Sequence, residues 1–362
     1  MSLLLAVIYL IFVSLGLPDS LLGSGWPKMQ VEFGVPSSYA GYVFMMISAM
    51  TIISALLSPK LIQRLHVKWI VTVSIMLTVF GLLGFSFCTQ YWILLVCAIP
   101  YGLGAGAIDA AMNHYVANNY SGAVMNFLHC FYGVGAMISP YLMALAIKVA
   151  HWNEGYRWTA FLQIGILLVV ISSWSLWQQS DSKADESKID SAGESTCFLW
   201  VPSYFAGTRT GISSELVASF GSLIFGGLMI GRLIAGFIAN RLGDRRMIRS
   251  GMMVELIGIL LTALPIKGYL VAAIGFLIIG IGMGPIYPSI QHMAPINFGK
   301  RYSAAVIGLQ MAFAYTGSTF MPTVFGILQQ KLGIWIMPLY LLVFAGLSFA
   351  LLELSYRQEA RL

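Results

Sequence analysis

Apolar stretches of about 20 residues recur along this 362-residue chain, and short polar loops between them carry most of its Lys and Arg. A stretch of that length crosses the hydrocarbon core of a bilayer as a helix, which satisfies every backbone group within the segment. The chain is 58% hydrophobic and 9% charged, whereas a soluble domain carries about 25% charged residues. A soluble chain this apolar would aggregate through exposed patches. The segments are also too long and too uniformly apolar for the alternating pattern of an outer-membrane barrel. An all-α integral membrane protein is therefore expected.

The formal charge of +6 does not point to nucleic acid, because the basic residues lie in short loops and form no continuous face. Cys88, Cys97, Cys130 and Cys197 lack metal-ligand spacing and fall in or beside apolar spans. They read as buried thiols, and neither a metal nor a cofactor is expected. The first apolar segment has no basic leader and no small-residue cleavage site, so it reads as a first transmembrane helix.

Helices are expected at roughly 3–24, 38–58, 69–88, 92–117, 123–148 and 157–177, and then at 214–240, 247–265, 269–293, 302–328 and 334–354. The polar stretch over 179–194 reads as a cytoplasmic linker between a half at 1–178 and a half at 195–362. A seventh helix near Thr196–Ala206 is too short to span alone. With the N-terminus inside and twelve spans, the inside loops hold thirteen Lys and Arg against six outside, with Arg232 within a span. That bias places both termini in the cytoplasm of a cell whose inner (plasma) membrane holds the protein.

The two halves repeat. Gly102-Leu-Gly-Ala-Gly-Ala-Ile-Asp-Ala-Ala-Met-Asn-His114 aligns with Gly280-Ile-Gly-Met-Gly-Pro-Ile-Tyr-Pro-Ser-Ile-Gln-His292 at an offset of 178. Val124–Pro140 aligns with Val306–Pro322 at 182, and Gln63-Arg64-Leu65 with Asn240-Arg241-Leu242 at 177. A six-helix unit used twice is the plan of transporters with a central site.

Gly231-Arg-Leu-Ile-Ala-Gly-Phe-Ile-Ala-Asn-Arg-Leu-Gly-Asp-Arg-Arg246 resembles the signature loop of the major facilitator superfamily, with a degenerate copy at Ser58–His66. Within it, Leu17-Pro-Asp-Ser-Leu-Leu22, Ile108-Asp-Ala-Ala-Met-Asn113 and Met125–Ala136 resemble the fucose permease branch of sugar–proton symporters. The resemblance implies a twelve-helix fold of two pseudo-symmetric halves. It also implies acids on the first and fourth helices, where the branch has Asp and usually Glu. Here they are Asp19 and Asp109.

A carboxylate at the bilayer centre costs about 2.5–3.5 kcal/mol on insertion scales, so such a residue faces a polar cavity and has a function there. Asp109 reads as a proton carrier, with Asn113 one turn on, and the alternative is a permanent ion pair. Asp19 follows Pro18 where the helix loosens and reads as a second coupling group; the alternative is an interfacial Asp before an exit at Trp26-Pro27-Lys28. Asn126, His129 and Tyr132 recur at spacing three as a polar stripe suited to a hydroxyl-rich substrate, and His129 is also a candidate proton carrier. In the second half Tyr287 and Gln291 replace Asp109 and Asn113 and read as substrate ligands. Gln310, Tyr315 and Gln163 are weaker substrate candidates, and Trp200 and Tyr204 read as an outer closure or as an interfacial belt.

Glu194 reads as a solvated linker end, and Glu255, near the inner end of the ninth helix, as a structural pair. Arg64, Arg232, Arg241, Asp244 and Arg245 read as gating or structural groups at inner helix ends. Gly102, Gly104 and Gly106 lie in an apolar span and read as helix packing, not as a nucleotide loop.

The expected function is proton-coupled uptake of a small sugar by a monomer in the bilayer. An exporter of amphipathic compounds is the alternative within transport, and a sugar sensor that moves nothing is the alternative outside it. No nucleophile and base set for an enzyme is seen.

Overall fold

The computed structural model describes residues 3–36, 39–177, 221–266 and 268–359, together with 197, 200, 201, 203–205, 207 and 208. The described residues are helical, with no strand among them. Ten helical segments are long and apolar enough to cross a membrane. Large apolar side chains stay exposed along them, among them Phe80, Phe237 and Leu168, as a lipid-facing surface requires.

The first span is longer than its hydropathy suggests, and it is broken. Helix α1 (Leu3–Gly16) and helix α2 (Leu21–Phe33) form one segment of 31 residues. Pro18 has no N–H and cannot continue the helical ladder. The chain passes through tight bonds from Asp19 N to Gly16 O (3.3 Å) and Leu21 N to Pro18 O (3.1 Å) before the helix resumes. Asp19 thus lies in mid-segment, and the helix does not end at Trp26-Pro27-Lys28 as expected. Trp26 and Pro27 belong to α2, held because Trp26 and Met29 are buried with Leu82, Phe85 and Trp152.

Helices α3 (Tyr39–Arg64), α4 (Val67–Phe87), α5 (Tyr91–Asn119), α6 (Gly122–Val149) and α7 (Trp152–Ser172) follow. Helix α7 begins five residues earlier than expected because Trp152 and Tyr156 are core residues. After the gap come α8 (Gly221–Leu242), α9 (Asp244–Ala263), α10 (Leu270–Met283), α11 (Ile286–Phe298), α12 (Ser303–Leu332) and α13 (Met337–Glu359). The tenth span was expected unbroken; Gly284-Pro285 divides it into α10 and α11.

Of the expected seventh helix, Cys197, Trp200, Val201, Tyr204 and Phe205 are helical and join a core with Ile224, Phe276 and Phe325. Tyr204 is buried and donates to the Thr262 carbonyl (2.9 Å), and Trp200 Nε1 donates to Pro322 O (2.8 Å). Tyr204 is therefore a core residue and not part of a belt. The linker and Glu194 lie outside the described residues.

Helix contacts group the chain into two compact units. One takes in Met1–Tyr120, Phe127–Ser187 and Ala294–Ala312; the other takes in Ser121–Asn126, Lys188–Met293 and Phe313–Leu362.

Glycines set the helix contacts identically in the two repeats. A Cβ on Gly102 or Gly106 would lie 2.4 Å from Ile47 O or 2.3 Å from Thr51 O of α3, and one on Gly104 would lie 2.5 Å from Ser74 O of α4. The aligned Gly280 and Gly284 press on α8 at Ile224 O (2.5 Å) and Leu228 O (2.9 Å), and Gly282 presses on α9 at Glu255 N (2.3 Å). Small residues let helix backbones approach in lipid, so this stripe packs helices in both units.

The same device seats α1 on α6. A Cβ on Gly16 would lie 2.1 Å from Tyr132 O, and one on Gly135 would lie 2.2 Å from Val13 O. Gly135→Ala is expected to lower stability by about 1–3 kcal/mol through overpacking. Gly165→Ala, which meets nothing within 4 Å, is expected to leave stability unchanged or raise it by about 0.5–1 kcal/mol. Thermal unfolding of the two variants in the same detergent checks this.

Candidate functional site

Two polar networks lie in the first unit, each built around one of the aspartates. Asp109 is buried on α5 (8% exposed). Its Oδ1 accepts from Asn113 Nδ2 at 2.8 Å, one helical turn away. Because Asn113 gives its N–H groups to Asp109, its own Oδ1 faces His129 Nε2 of α6 at 3.0 Å. The imidazole therefore donates through Nε2–H. Asn113 and His129 are both buried, and Phe12 of α1 meets the imidazole edge-on at a centroid distance of 5.4 Å.

The second network surrounds Asp19. Tyr101 of α5 donates to its Oδ1 at 3.2 Å, and Tyr132 of α6 donates to its Oδ2. The residue is exposed, although its donors come from two neighbouring helices. Tyr132, expected on a substrate stripe with Asn126 and His129, is half-buried and donates to Asp19. Tyr101 escaped the sequence reading because nothing local marks it: it lies two turns before Asp109 and 82 residues from its partner.

The break at Pro18 also explains Gln163. Proline removes the N–H that would bond the carbonyl four residues earlier, which is that of Ser14. Gln163 of α7 donates to Ser14 O at 2.9 Å, and its Oε1 accepts from Thr78 of α4 at 2.8 Å. Its amide spans α1, α4 and α7 inside the protein, which is a supporting role.

Asn126 spends its Nδ2 on Gly122 O (2.9 Å), while its buried Oδ1 has no hydrogen-bond partner among the described residues. Gln291 on α11 is fully buried with neither amide atom partnered, and the same holds for Ser289 Oγ and Gln310 Oε1. Each such group costs about 1–3 kcal/mol until something satisfies it. Tyr287 and Tyr315 are half-buried.

Of the basic groups, Arg64 and Arg241 are exposed and Arg232 is buried. Arg245 lies over the Tyr356 ring at 4.8 Å, and Arg249 grips Glu353 with two bonds of 2.6 and 2.8 Å. Glu255 is buried in the middle of α9, not near a helix end. Asp244 opens α9 and pairs with His292 Nδ1 of α11 at 2.8 Å. A Cβ on Gly122, the first residue of α6, would lie 2.7 Å from Asp244 Oδ1. The acid thus lies against the starts of two helices, where their dipoles favour negative charge.

His114, the repeat partner of His292, was not singled out in the sequence. It is fully buried, and its Nδ1 meets Asn118 Nδ2 and Ser303 Oγ, each at 3.1 Å. The alignment of the two histidines at the offset of 178 was the available signal.

Replacing Gln163 with Leu is expected to cost about 1–3 kcal/mol, since it strands the Ser14 carbonyl. Chemical denaturation of the Gln163→Leu and Gln163→Glu proteins checks this; Gln163→Glu is expected to be destabilised too, because a carboxylate cannot donate to Ser14.

The family model of the major facilitator superfamily matches residues 8–196 and 189–361. The "Bypass of stop codon protein 6" of Saccharomyces cerevisiae is 21% identical over 310 residues, 69% of this chain and 61% of that protein. The chain thus spans less than two thirds of that relative's length. The "Glucose/mannose transporter GlcP" of Bacillus subtilis is 20% identical over 353 residues, 88% of this chain and 86% of that one. The crystal structure of the major facilitator transporter FucP in its outward conformation superposes with a TM-score of 0.78 at 14% identity, covering 95% of this chain and 97% of that one. This chain belongs to the major facilitator superfamily and has the all-α, multi-pass membrane fold of that family.

Proposed function

We propose that this transporter takes up a small sugar, a hexose or deoxyhexose, together with protons, by alternating access between two six-helix halves at 1–178 and 195–362 joined by a cytoplasmic linker. It acts as a monomer in the plasma membrane with both termini in the cytoplasm. The observation that carries the reading is Asp109: a buried carboxylate on a membrane helix, bonded to an amide that is itself bonded to a buried imidazole. Neutral donors steady an ionised acid and leave it free to take up a proton. Asp19, held by two phenols, is the second proton site.

A sugar needs many donors and acceptors. The buried amides of Asn126, Gln291 and Gln310 have atoms left to offer, and Asn113, His129, Tyr132 and Tyr287 stand on the same helices or on repeat-related ones. Similarity to a glucose/mannose transporter and to FucP supports the sugar class. Arg64, Arg232, Arg241, Asp244 and Arg245 serve conformational control, Asp244 through its pairing with His292. No sugar ligand role is assigned to them.

Proteoliposomes given an inward proton gradient of about one pH unit are expected to accumulate labelled glucose or fucose up to about tenfold for one proton per sugar, since one pH unit equals 1.36 kcal/mol and one decade. Asp109→Asn is expected to abolish accumulation while equilibrative exchange continues. A sodium gradient in place of the proton gradient is expected to drive none. Accumulation unchanged in Asp109→Asn, or driven by sodium alone, overturns the assignment.

A further inference from the structure

We infer that His292 is a positioning residue whose proton loosens the first turn of α6: uncharged, it leaves Asp244 to hold that helix start, and charged, it cancels the hold. Ala123 of α6 is buried with Ala235 and Ala239 of α8 and with Met247 of α9. Side chains this small let the helix start lie close to its neighbours. A carboxylate oxygen and a ring nitrogen meet it there. A Cβ on Gly122 would lie 2.7 Å from Asp244 Oδ1 and 3.2 Å from His292 Nδ1. The other carboxylate oxygen, Oδ2, lies 2.8 Å from the same Nδ1. The two side chains are only 13% and 14% exposed, so solvent screens little of their charge.

The proton adds to Nε2, the ring nitrogen that does not face Asp244. Nδ1–H donates to the carboxylate in both states, so no hydrogen bond has to break. What changes is charge. With His292 neutral, the pair presents one negative charge to α6; with His292 an imidazolium, it presents none. A helix start is a positive pole, because the N–H groups of its first turn are unpaired within the helix. Acid therefore removes the attraction. In the halves proposed above, α6 belongs to one and α8, α9 and α11 to the other. The consequence for transport rests on that reading: protonated His292 makes the inner side easier to open.

The other charges around this point are fixed near neutral pH. Helix α11 packs on α9 and α13 through Ile248, Met252, Met293 and Tyr356. Besides Asp244, α9 carries Arg245, Arg246 and Arg249; α13 carries Glu353, Tyr356 and Arg357; and α8 carries Arg232 and Arg241. The first turn of α6 carries no titratable group, and α11 itself adds only Tyr287. Arg249 holds Glu353, and Arg245 and Arg249 lie over the Tyr356 ring at 4.8 and 5.3 Å. Among these groups only the imidazole ordinarily changes charge between about pH 5 and 8. The repeat partner, His114, is built differently. Its Nδ1 faces the Asn118 amide, a donor, and Ser303 Oγ, whose own hydrogen goes to Lys300 O (3.0 Å). That nitrogen accepts, so the ring is neutral. Counting on from the matched Arg64 and Arg241, Asp244 corresponds to Val67, so the first repeat has no acid at this point.

Hydrogen–deuterium exchange of the purified protein in lipid nanodiscs, without sugar, tests this directly. Peptides covering 121–126 report the first turn of α6, after correction for the intrinsic pH dependence of amide exchange. Between about pH 8 and about pH 6 the parent is expected to lose about two- to fivefold of its protection there, the effect of one charge at a helix start. His292→Gln keeps a donor without a titrating ring and is expected to abolish that pH dependence. His114→Gln is expected to retain it. Protection in the parent that stays level or rises on acidification overturns the inference, and so does a pH dependence that survives in His292→Gln. Asp244→Asn decides the point independently: it is expected to lose already at about pH 8 the protection that the parent loses on acidification, and protection equal to the parent's overturns the inference. Should the parent accumulate neither sugar in proteoliposomes, the coupled-uptake reading fails, while exchange at α6 still decides the role of His292.

Discussion

A carboxylate inside a membrane span must be supplied with donors, and the first unit is organised around that demand. Asp109 draws on its own helix and, through Asn113, on α6. Asp19 draws on α5 and α6 at once. Helices α5 and α6 are thus joined at two levels by groups that exist to satisfy an acid. Glycines bring α1 against α6, and α5 against α3 and α4, so the elements that carry these donors are closely packed. Packing and chemistry are the same constraint seen from two sides.

Pro18 shows how one residue spreads its consequences. By withholding an N–H it ends α1, frees the Ser14 carbonyl and leaves Asp19 on irregular backbone. Irregular backbone at membrane depth is tolerated only where protein or a water-filled cavity satisfies it. Here protein supplies the partners: Gln163 reaches the freed carbonyl, and Tyr101 and Tyr132 donate to the Asp19 side chain.

The spans, the repeat and the Asp109–Asn113 pair were legible in the sequence because each rests on local spacing: hydropathy over twenty residues, identity at a fixed offset, and a separation of four on one helix. The Gly102, Gly104 and Gly106 stripe was legible for the same reason. What stayed hidden depends on partners far along the chain. Tyr101 and Gln163 look like ordinary span residues until the fold brings Asp19 and Ser14 to them, from 82 and 149 residues away. Hydropathy alone also misjudged the reach of the first span, since Lys28 and Glu32 lower the average over a helix whose inner face is held by Trp26 and Met29. The break in the tenth span was written in Gly284-Pro285, but a proline inside an apolar run reads equally well as a kink.

That break has an electrical consequence. The two repeats carry the same glycines, yet Ala107 of the first becomes Pro285 of the second, and Asp109 becomes Tyr287. In the first repeat the helix runs on unbroken and presents a negative side chain. In the second, α10 ends at Met283, α11 begins at Ile286, and the matching side chain is a neutral phenol. The end of one helix meets the start of the next there, so their opposite dipole poles offset one another. Duplication supplied the symmetric frame, and only one copy keeps an ionisable acid at the matching point.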